Sequence, residues 1–336
     1  VLGKKWICNY DMRILNPKLI PSIGDTIYLL DQYGGIQSFT KTATGFKSPP
    51  GVYLTLTTYG DTEWKITDKF GTEYYFGWSN WIGGQRIEWG RLNKIKDRNG
   101  NETKLTWMTM LPEIWEPYLH SITDCVGRTV FVSNQSIVVY DPQIMNTKTI
   151  TVVSGLKDPD GRIFKFEYQM KGFVDRYPHL TKTYIEKGGI KYFETTYEYE
   201  DNKDNCQLLY ADDPRRGPGD SKLSYKYDDF GRVVEIQKVD GINTPPLYIF
   251  EYMLVELNGK MLPETHITKV FDVIGSTLVK AYTTIDRYNE KGFHEEIVLP
   301  NSEIIKATWD EVNLNKTQVN NRGMITDYEY DGKGNI

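Results

Sequence analysis

The residues best suited to proton transfer or metal binding are four histidines, His120, His179, His266 and His294, and their spacing serves neither task. No two stand three or four residues apart, as a pair of ligands on one helical face would have to. Each reads as an isolated structural or surface imidazole. Cys8, Cys125 and Cys206 are odd in number and widely separated, which fits neither a disulfide framework nor a zinc site, so they are expected as core thiols. Asp158-Pro159-Asp160-Gly161 brings two carboxylates to one turn, yet a calcium loop needs further oxygen ligands that do not follow it. The sequence has no Gly-x-Ser-x-Gly elbow, phosphate loop, dinucleotide fingerprint or Cys-x-x-Cys pair. No catalytic residue, metal or cofactor is expected. One segment could make contacts instead: Trp78 and Trp81 lie in a Gly-rich aromatic stretch, with Trp89 shortly after. Exposed indoles of this kind stack on sugar rings or anchor a protein partner, and the plainer reading is a packing insertion.

The carboxylates have another use, which appears on stepping back to the elements around them. Asp-x-x-Gly occurs at Asp31/Gly34, Asp68/Gly71, Asp97/Gly100, Asp124/Gly127, Asp158/Gly161, Asp228/Gly231, Asp272/Gly275 and Asp331/Gly334, with Asn versions at Asn289/Gly292 and Asn320/Gly323. Composition alone gives about two Asp examples, so the excess needs a cause, and turn chemistry supplies one. Asp at the first position of a type I turn accepts hydrogen bonds from the backbone that follows, and Gly at the fourth takes the left-handed conformation that closes a hairpin. The flanks alternate with period two, as in Ile163-Phe164-Lys165-Phe166-Glu167-Tyr168 and Thr196-Tyr197-Glu198-Tyr199. That pattern puts rings on one face of a strand and charges on the other. The unit is strand, turn, strand. Near the C-terminus Tyr288-Asn289, Trp309-Asp310 and Tyr330-Asp331 recur every 21 residues, whereas the earlier turns are spaced unevenly. A fixed period predicts an array in which each unit packs on its neighbours.

Tyr225-x-Tyr227-Asp228-x-x-Gly231-Arg232 and Tyr328-x-Tyr330-Asp331-x-x-Gly334-Asn335 resemble the Tyr-Asp (YD/Rhs) repeat. The segments from Gly90 to Asn101 and from Trp6 to Arg13 are similar to the repeats and the entry region of bacterial Rhs shells. Tyr288 takes the same place before Asn289, while Asn313 stands where Gly is expected after Trp309-Asp310. The resemblance implies a sheet that spirals into part of a hollow shell, as in toxin-complex C components, Rhs effectors and more distantly teneurins. It implies a non-enzymatic shell fragment that encapsulates and helps deliver a C-terminal toxin or effector polypeptide, with neighbouring shell segments as further partners. The terminator motif of Rhs cores is not recognisable. A secreted or extracellular bacterial parent is implied, and the end within a repeat reads as an excised fragment.

Bulk properties agree with an all-β, antiparallel hairpin array. Among 336 residues, 39% are hydrophobic and 13% aromatic, with 24 Tyr and 8 Trp, a composition that favours half-buried strands. A net charge of -5 argues against a nucleic-acid partner, and no apolar run reaches the length of a membrane span. Three regions are expected: degenerate repeats over 1–210, an exposed connection over 211–221, and Tyr-Asp repeats over 222–336. Open strand edges in such an array invite self-association. The competing function is an adhesion or carbohydrate-binding module with a glycan or protein receptor.

Overall fold

The structure, a computed structural model, describes residues 8–15, 25–49, 51–59, 63–77, 89–108, 117–141, 145–172, 177–200, 206–212, 222–239, 246–257, 259–274, 277–310, 315–319, 322–331 and 335–336. It is all-β, and every ladder between described strands is antiparallel. The chain forms two compact units, one of Val1–Glu194 with Asp201–Cys206 and one of Thr195–Glu200 with Gln207–Ile336.

The first unit begins with a meander of eight strands: β1 (Arg13–Leu15), β2 (Thr26–Leu30), β3 (Ile36–Thr42), β4 (Gly45–Lys47), β5 (Leu54–Tyr59), β6 (Glu63–Asp68), β7 (Glu73–Gly77) and β8 (Trp89–Lys96). Strand β8 returns to pair with β1, Arg91 opposite Arg13, so the strands run most of the way round a ring. The sheet is open and does not close into a barrel. Alternation explains its filling. In β2, Ile27 and Leu29 point inward and are fully buried, and in β6 Trp64 and Ile66 do the same between Glu63, Lys65 and Thr67. They meet Ile14, Phe39, Leu56, Phe76 and Leu92 in one core cluster. Burying such a side chain is worth about 1.5–3 kcal/mol.

From β8 the sheet also continues through β9 (Glu102–Met108), β10 (Tyr118–Thr123), β11 (Thr129–Asp141), β12 (Asn146–Lys157), β13 (Ile163–Lys171) and β14 (Tyr177–Lys187). Strand β8 is therefore a fork. Residues 91–96 pair with β7 along one edge, while the other edge is shared by β1 near Arg91 and β9 near Lys94. Ladders in this unit join odd to even strands, so connections leaving even strands all lie at one end. The turns at Asp31, Asp68, Asp97, Asp124 and Asp158 are all of that kind.

The second unit contains the end of β15 (Ile190–Tyr199), then β16 (Leu208–Asp212), β17 (Lys222–Tyr227), β18 (Val233–Val239), β19 (Pro246–Leu257), β20 (Lys260–Ile274), β21 (Thr277–Tyr288), β22 (His294–Val298), β23 (Ile304–Trp309), β24 (Asn315–Val319) and β25 (Ile325–Asp327). Each strand from β16 onward pairs with the one before it. Among the described residues of this unit only Tyr199, Leu262 and Val270 are buried hydrophobics. It is a sheet with almost no core of its own. The 21-residue interval is two short strands with their two turns, which returns each repeat to the same end of the sheet.

Candidate functional site: the repeated turn, bulge and cap

Turns at Asp31, Asp68, Asp97, Asp124, Asp158 and Asp228 share one geometry. The Gly N–H donates to the Asp carbonyl at 3.0–3.1 Å, and the Asp N–H donates to the carbonyl of the residue after Gly. The Asp Oδ1 accepts a second N–H at that position, as from Gly35, Thr72, Asn101, Arg128, Arg162 and Arg232. Gly34, Gly71, Gly100, Gly127, Gly161 and Gly231 have φ between 79° and 90°, where a side chain is strained. Asn289 and Gly292 form the same turn, and Ser302 takes the Gly place in the turn that starts at Leu299, with φ 67°.

The second carboxylate oxygen gives a role to the residue that follows Gly, as Arg232 and Asn335 do in the Tyr-Asp motifs. The guanidinium Nε of Arg128, Arg162 and Arg232 donates to Oδ2 of Asp124, Asp158 and Asp228 at 2.7, 2.5 and 2.7 Å. Asn101 and Asn335 do the same to Asp97 and Asp331 through their amides. Arg or Asn directly after Gly was the available signal. For Asp97 the Asn101 amide bond holds the carboxyl below its ordinary range. For Asp124, Asp158 and Asp228 desolvation pushes the value up, and hydrogen bonds from the Arg side chain and backbone more than offset it, leaving each lowered. These carboxylates are occupied as turn acceptors.

A second element recurs where hairpins splay apart. The hairpins β8–β9, β10–β11, β12–β13, β16–β17, β18–β19 and β22–β23 each hold three ladder pairs. Just beyond, a side chain donates to the backbone carbonyl that the ladder leaves open. Trp107 Nε1 bonds Leu92 O at 2.8 Å, Asn134 Nδ2 bonds Leu119 O at 2.9 Å, and Tyr168 Oη bonds Val153 O at 2.5 Å. Tyr227 Oη bonds Leu208 O at 2.8 Å, Tyr252 Oη bonds Val233 O at 2.9 Å, and Trp309 Nε1 bonds His294 O at 2.7 Å. Five of these bonds are part-buried and the Trp309 bond is exposed, so each contributes as an ordinary hydrogen bond, about 0.5–1.5 kcal/mol. For Trp107, Asn134, Tyr168, Tyr227 and Trp309 the donor adjoins a register shift in its other ladder. In each case the extra residue, His120, Ser154, Thr181, Val234 or Lys316, lies on the strand opposite the donor, so the bulge interrupts regular pairing beside the donor. Tyr227 and Trp309 each precede the Asp of the next motif. At Tyr227-Asp228 the dipeptide therefore joins two jobs, capping one hairpin and starting the next.

The β8 fork carries the densest buried polar group in the first unit. Asp11 accepts from Arg13 at 3.0 and 2.7 Å and from Arg91 Nη1 at 2.9 Å. Arg91 is 3% exposed, and its guanidinium lies 5.2 Å from the ring centre of Trp107, whose indole caps Leu92. Beside them is a cavity of about 30 Å³, lined in part by Cys8, Asn134 and Thr151, large enough for one water. In the second unit one face of the sheet carries Glu251, His266 and Glu264, Arg287, Glu296 and Lys306 across β19 to β23. The buried Glu264 accepts from His266 Nε2 at 2.7 Å and from Arg287 Nε at 2.5 Å, and Arg287 also bonds Glu296. Desolvation pushes Glu264 up, but Arg287 and His266 bring it below the ordinary carboxylate range.

Several expected residues stand elsewhere. Asp272 lies within β20 opposite Lys280, because this hairpin runs on to Ile274 and turns later; Gly275 is outside the described residues. Cys206 is buried and Cys8 half-buried, but Cys125 is exposed, since it occupies the tip of the Asp124 turn. Trp78, Trp81, Asn313, Asn320 and Gly334 lie outside the described residues, and Trp89 pairs through its backbone with Leu15. Tyr225 faces Ile236 in β17–β18, Tyr288 stacks at 4.6 Å on His294, and Tyr328 donates its N–H to Lys316 O. Tyr330 precedes the Asp331 turn. The exposed aromatic group the sequence did not single out is Phe271 with Tyr282, 5.4 Å apart, with Lys269 and Lys280 over the Phe271 ring.

Fold and repeated unit together define an antiparallel β-hairpin repeat protein. No protein-family model matches the sequence, and no curated protein matches it. Among solved structures, the chain is similar to one from the Photorhabdus luminescens Tc holotoxin pore at 11% identity, covering 93% of this chain and 20% of that one, with a TM-score of 0.35. A TcdB2–TccC3 chain matches at 12% identity, 88% and 20% coverage and a TM-score of 0.28. A porin-like protein from Bacteroides uniformis matches at 12% identity over 77% of this chain and 95% of that one, with a TM-score of 0.27. The chain spans about a fifth of the length of the two toxin-complex chains. No helix among the described residues is long and apolar enough to cross a membrane.

Proposed function

We propose that this chain is a stretch of shell wall in a YD/Rhs-type protein, which encloses a toxin or effector polypeptide and does no chemistry itself. The observation that supports this reading is the second unit, a sheet of antiparallel hairpins with three buried hydrophobics among its described residues. Globular domains bury one face of a sheet against another layer. A sheet that keeps both faces half-wet is suited to standing between two aqueous compartments, outside and lumen. Its local order comes from turns, caps and cross-strand ion pairs, which repeat along the chain and need no central core. The carboxylates of the Asp-x-x-Gly turns are engaged in backbone and Arg or Asn hydrogen bonds, which accounts for their abundance without acid–base work. Secretion from a bacterial cell and contact with neighbouring wall segments belong to the same proposal. The test is protease protection in the natural full-length polypeptide. An unfolded segment that survives proteinase while the wall is intact, and is digested once the wall is denatured, is the expected result. Digestion of every unfolded segment at the rate of free peptide contradicts enclosure.

A further inference from the structure

We propose that β20 and β21, around Phe271 and Tyr282, form a docking surface for an acidic polypeptide segment, held by the ammoniums of Lys269 and Lys280 and by the two exposed rings. Cross-strand pairing builds the surface. Tyr248, Lys269 and Tyr282 make one row across β19, β20 and β21, and Phe250, Ile267 and Thr284 make the next. Residues opposite one another share a face, and so do residues two apart along a strand, so both rows lie on one side of the sheet. Neither row holds a carboxylate. Phe271 is the extra residue of a β-bulge between Val270 and Asp272, and it meets Tyr282 edge to face, 5.4 Å apart at 72°. The two rings are 50% and 49% exposed.

The lysines set this surface apart from the rest of the second unit. Lys222, Lys226, Lys260 and Lys306 each meet a carboxylate, from Glu198, Glu235, Glu290 and Glu296. Among the described residues no carboxylate lies within ion-pair distance of Lys269 or Lys280, whose ammoniums stand over the Phe271 ring at 5.1 and 5.8 Å from its centre. The ring holds both stems in place, and each exposed ammonium has three N–H donors to offer. A chain of net charge -5 thus gathers two cations on apolar ground, which complements a carboxylate flanked by apolar side chains. Ring geometry narrows the choice. A nucleic-acid strand needs open ring faces for successive bases and several cations along its phosphates. Here the rings stand nearly perpendicular and lysines cover Phe271, so ring edges and two ammoniums remain. Such docking is independent of enclosure, since it needs only that this face meets the segment.

Fluorescence polarisation with the full chain tests the assignment, using three labelled probes of equal length: a peptide of repeated Glu-Leu-Gly, one of repeated Lys-Leu-Gly, and oligothymidylate. The Glu peptide alone is expected to bind saturably, and less tightly as salt rises. Lys269→Ala combined with Lys280→Ala should lower its affinity about tenfold, the scale of two exposed ion pairs. Phe271→Ser should lower it as well, because the ring that positions both ammoniums is gone. Lys47→Ala, at an exposed position in the first unit, should leave it unchanged. A photo-reactive group on the Glu peptide locates the site on the unaltered chain, with cross-links expected within residues 248–250, 267–271 and 280–284. Equal binding of the two peptides, preference for oligothymidylate, unchanged affinity in the double variant, or cross-links confined to other residues would each overturn the proposal.

Discussion

Both units are built from the same hairpins, yet the first places 18 buried hydrophobics and the second three among their described residues. In the first unit β8 returns to β1, so the alternating faces of a meander meet and exclude water. In the second, the ladders among the described residues join each strand to its sequence neighbours. Repeated turn chemistry thus fixes how strands connect, while one long-range pairing decides whether a core results.

Stability should divide along the same line. Phe39→Ala removes a fully buried ring from the first unit's core and should cost about 3–5 kcal/mol there. Hydrogen exchange resolved by unit checks it, with protection falling in residues 8–108 and holding in 222–310. Asp11→Ala leaves Arg91 buried beside Trp107 without this carboxylate and should cost about 3 kcal/mol, read as a lower denaturant midpoint of the first unit. The matching test of the second unit is Glu264→Gln, which withdraws the charge that His266 and Arg287 share. Its expected cost is about 2 kcal/mol, confined to β19–β23.

Turn substitutions in the second unit should have smaller effects. Gly231→Ala puts a methyl group on a residue with φ 79° and should cost about 1 kcal/mol, whereas Ser302→Gly relieves φ 67° and should raise stability by a similar amount. Thermal melts of the paired variants measure both. Acid gives the finest division. Asp97, Asp124 and Asp158 in the first unit and Asp228 in the second have lowered values, against an ordinary 3.8. The folded state holds these carboxylates charged, so their contribution is present above that value and lost as pH falls through the lower folded ones. Carboxyl NMR titration should show all four titrating below 3.8, and the first unit losing more from its turns.

Much of this arrangement was legible in the residues. Asp and Gly at fixed spacing marked the hairpins, because each residue type has one turn position that suits it, and alternation marked residues 163–168 and 196–199 as strand, where β13 and β15 run. The caps were not legible, although Trp107, Asn134, Tyr168 and Trp309 each stand ten residues after the first residue of a turn. Their shared property is a side-chain N–H or O–H, which three residue types supply, so no single letter repeats. The Asp11–Arg91 pair spans 80 residues and depends on β8 reaching β1, which no local pattern announces. Asp272 shows the opposite error, a correct motif overridden by a hairpin long enough to carry the turn past it.

The most direct test of the wall is electron cryomicroscopy of the natural full-length polypeptide that contains these residues. The account predicts that the sheet of residues 195–336 continues into a curved wall with poorly ordered polypeptide density on one side and solvent on the other. A sheet with both faces covered by folded layers of its own chain, or with both open to bulk solvent, would contradict it.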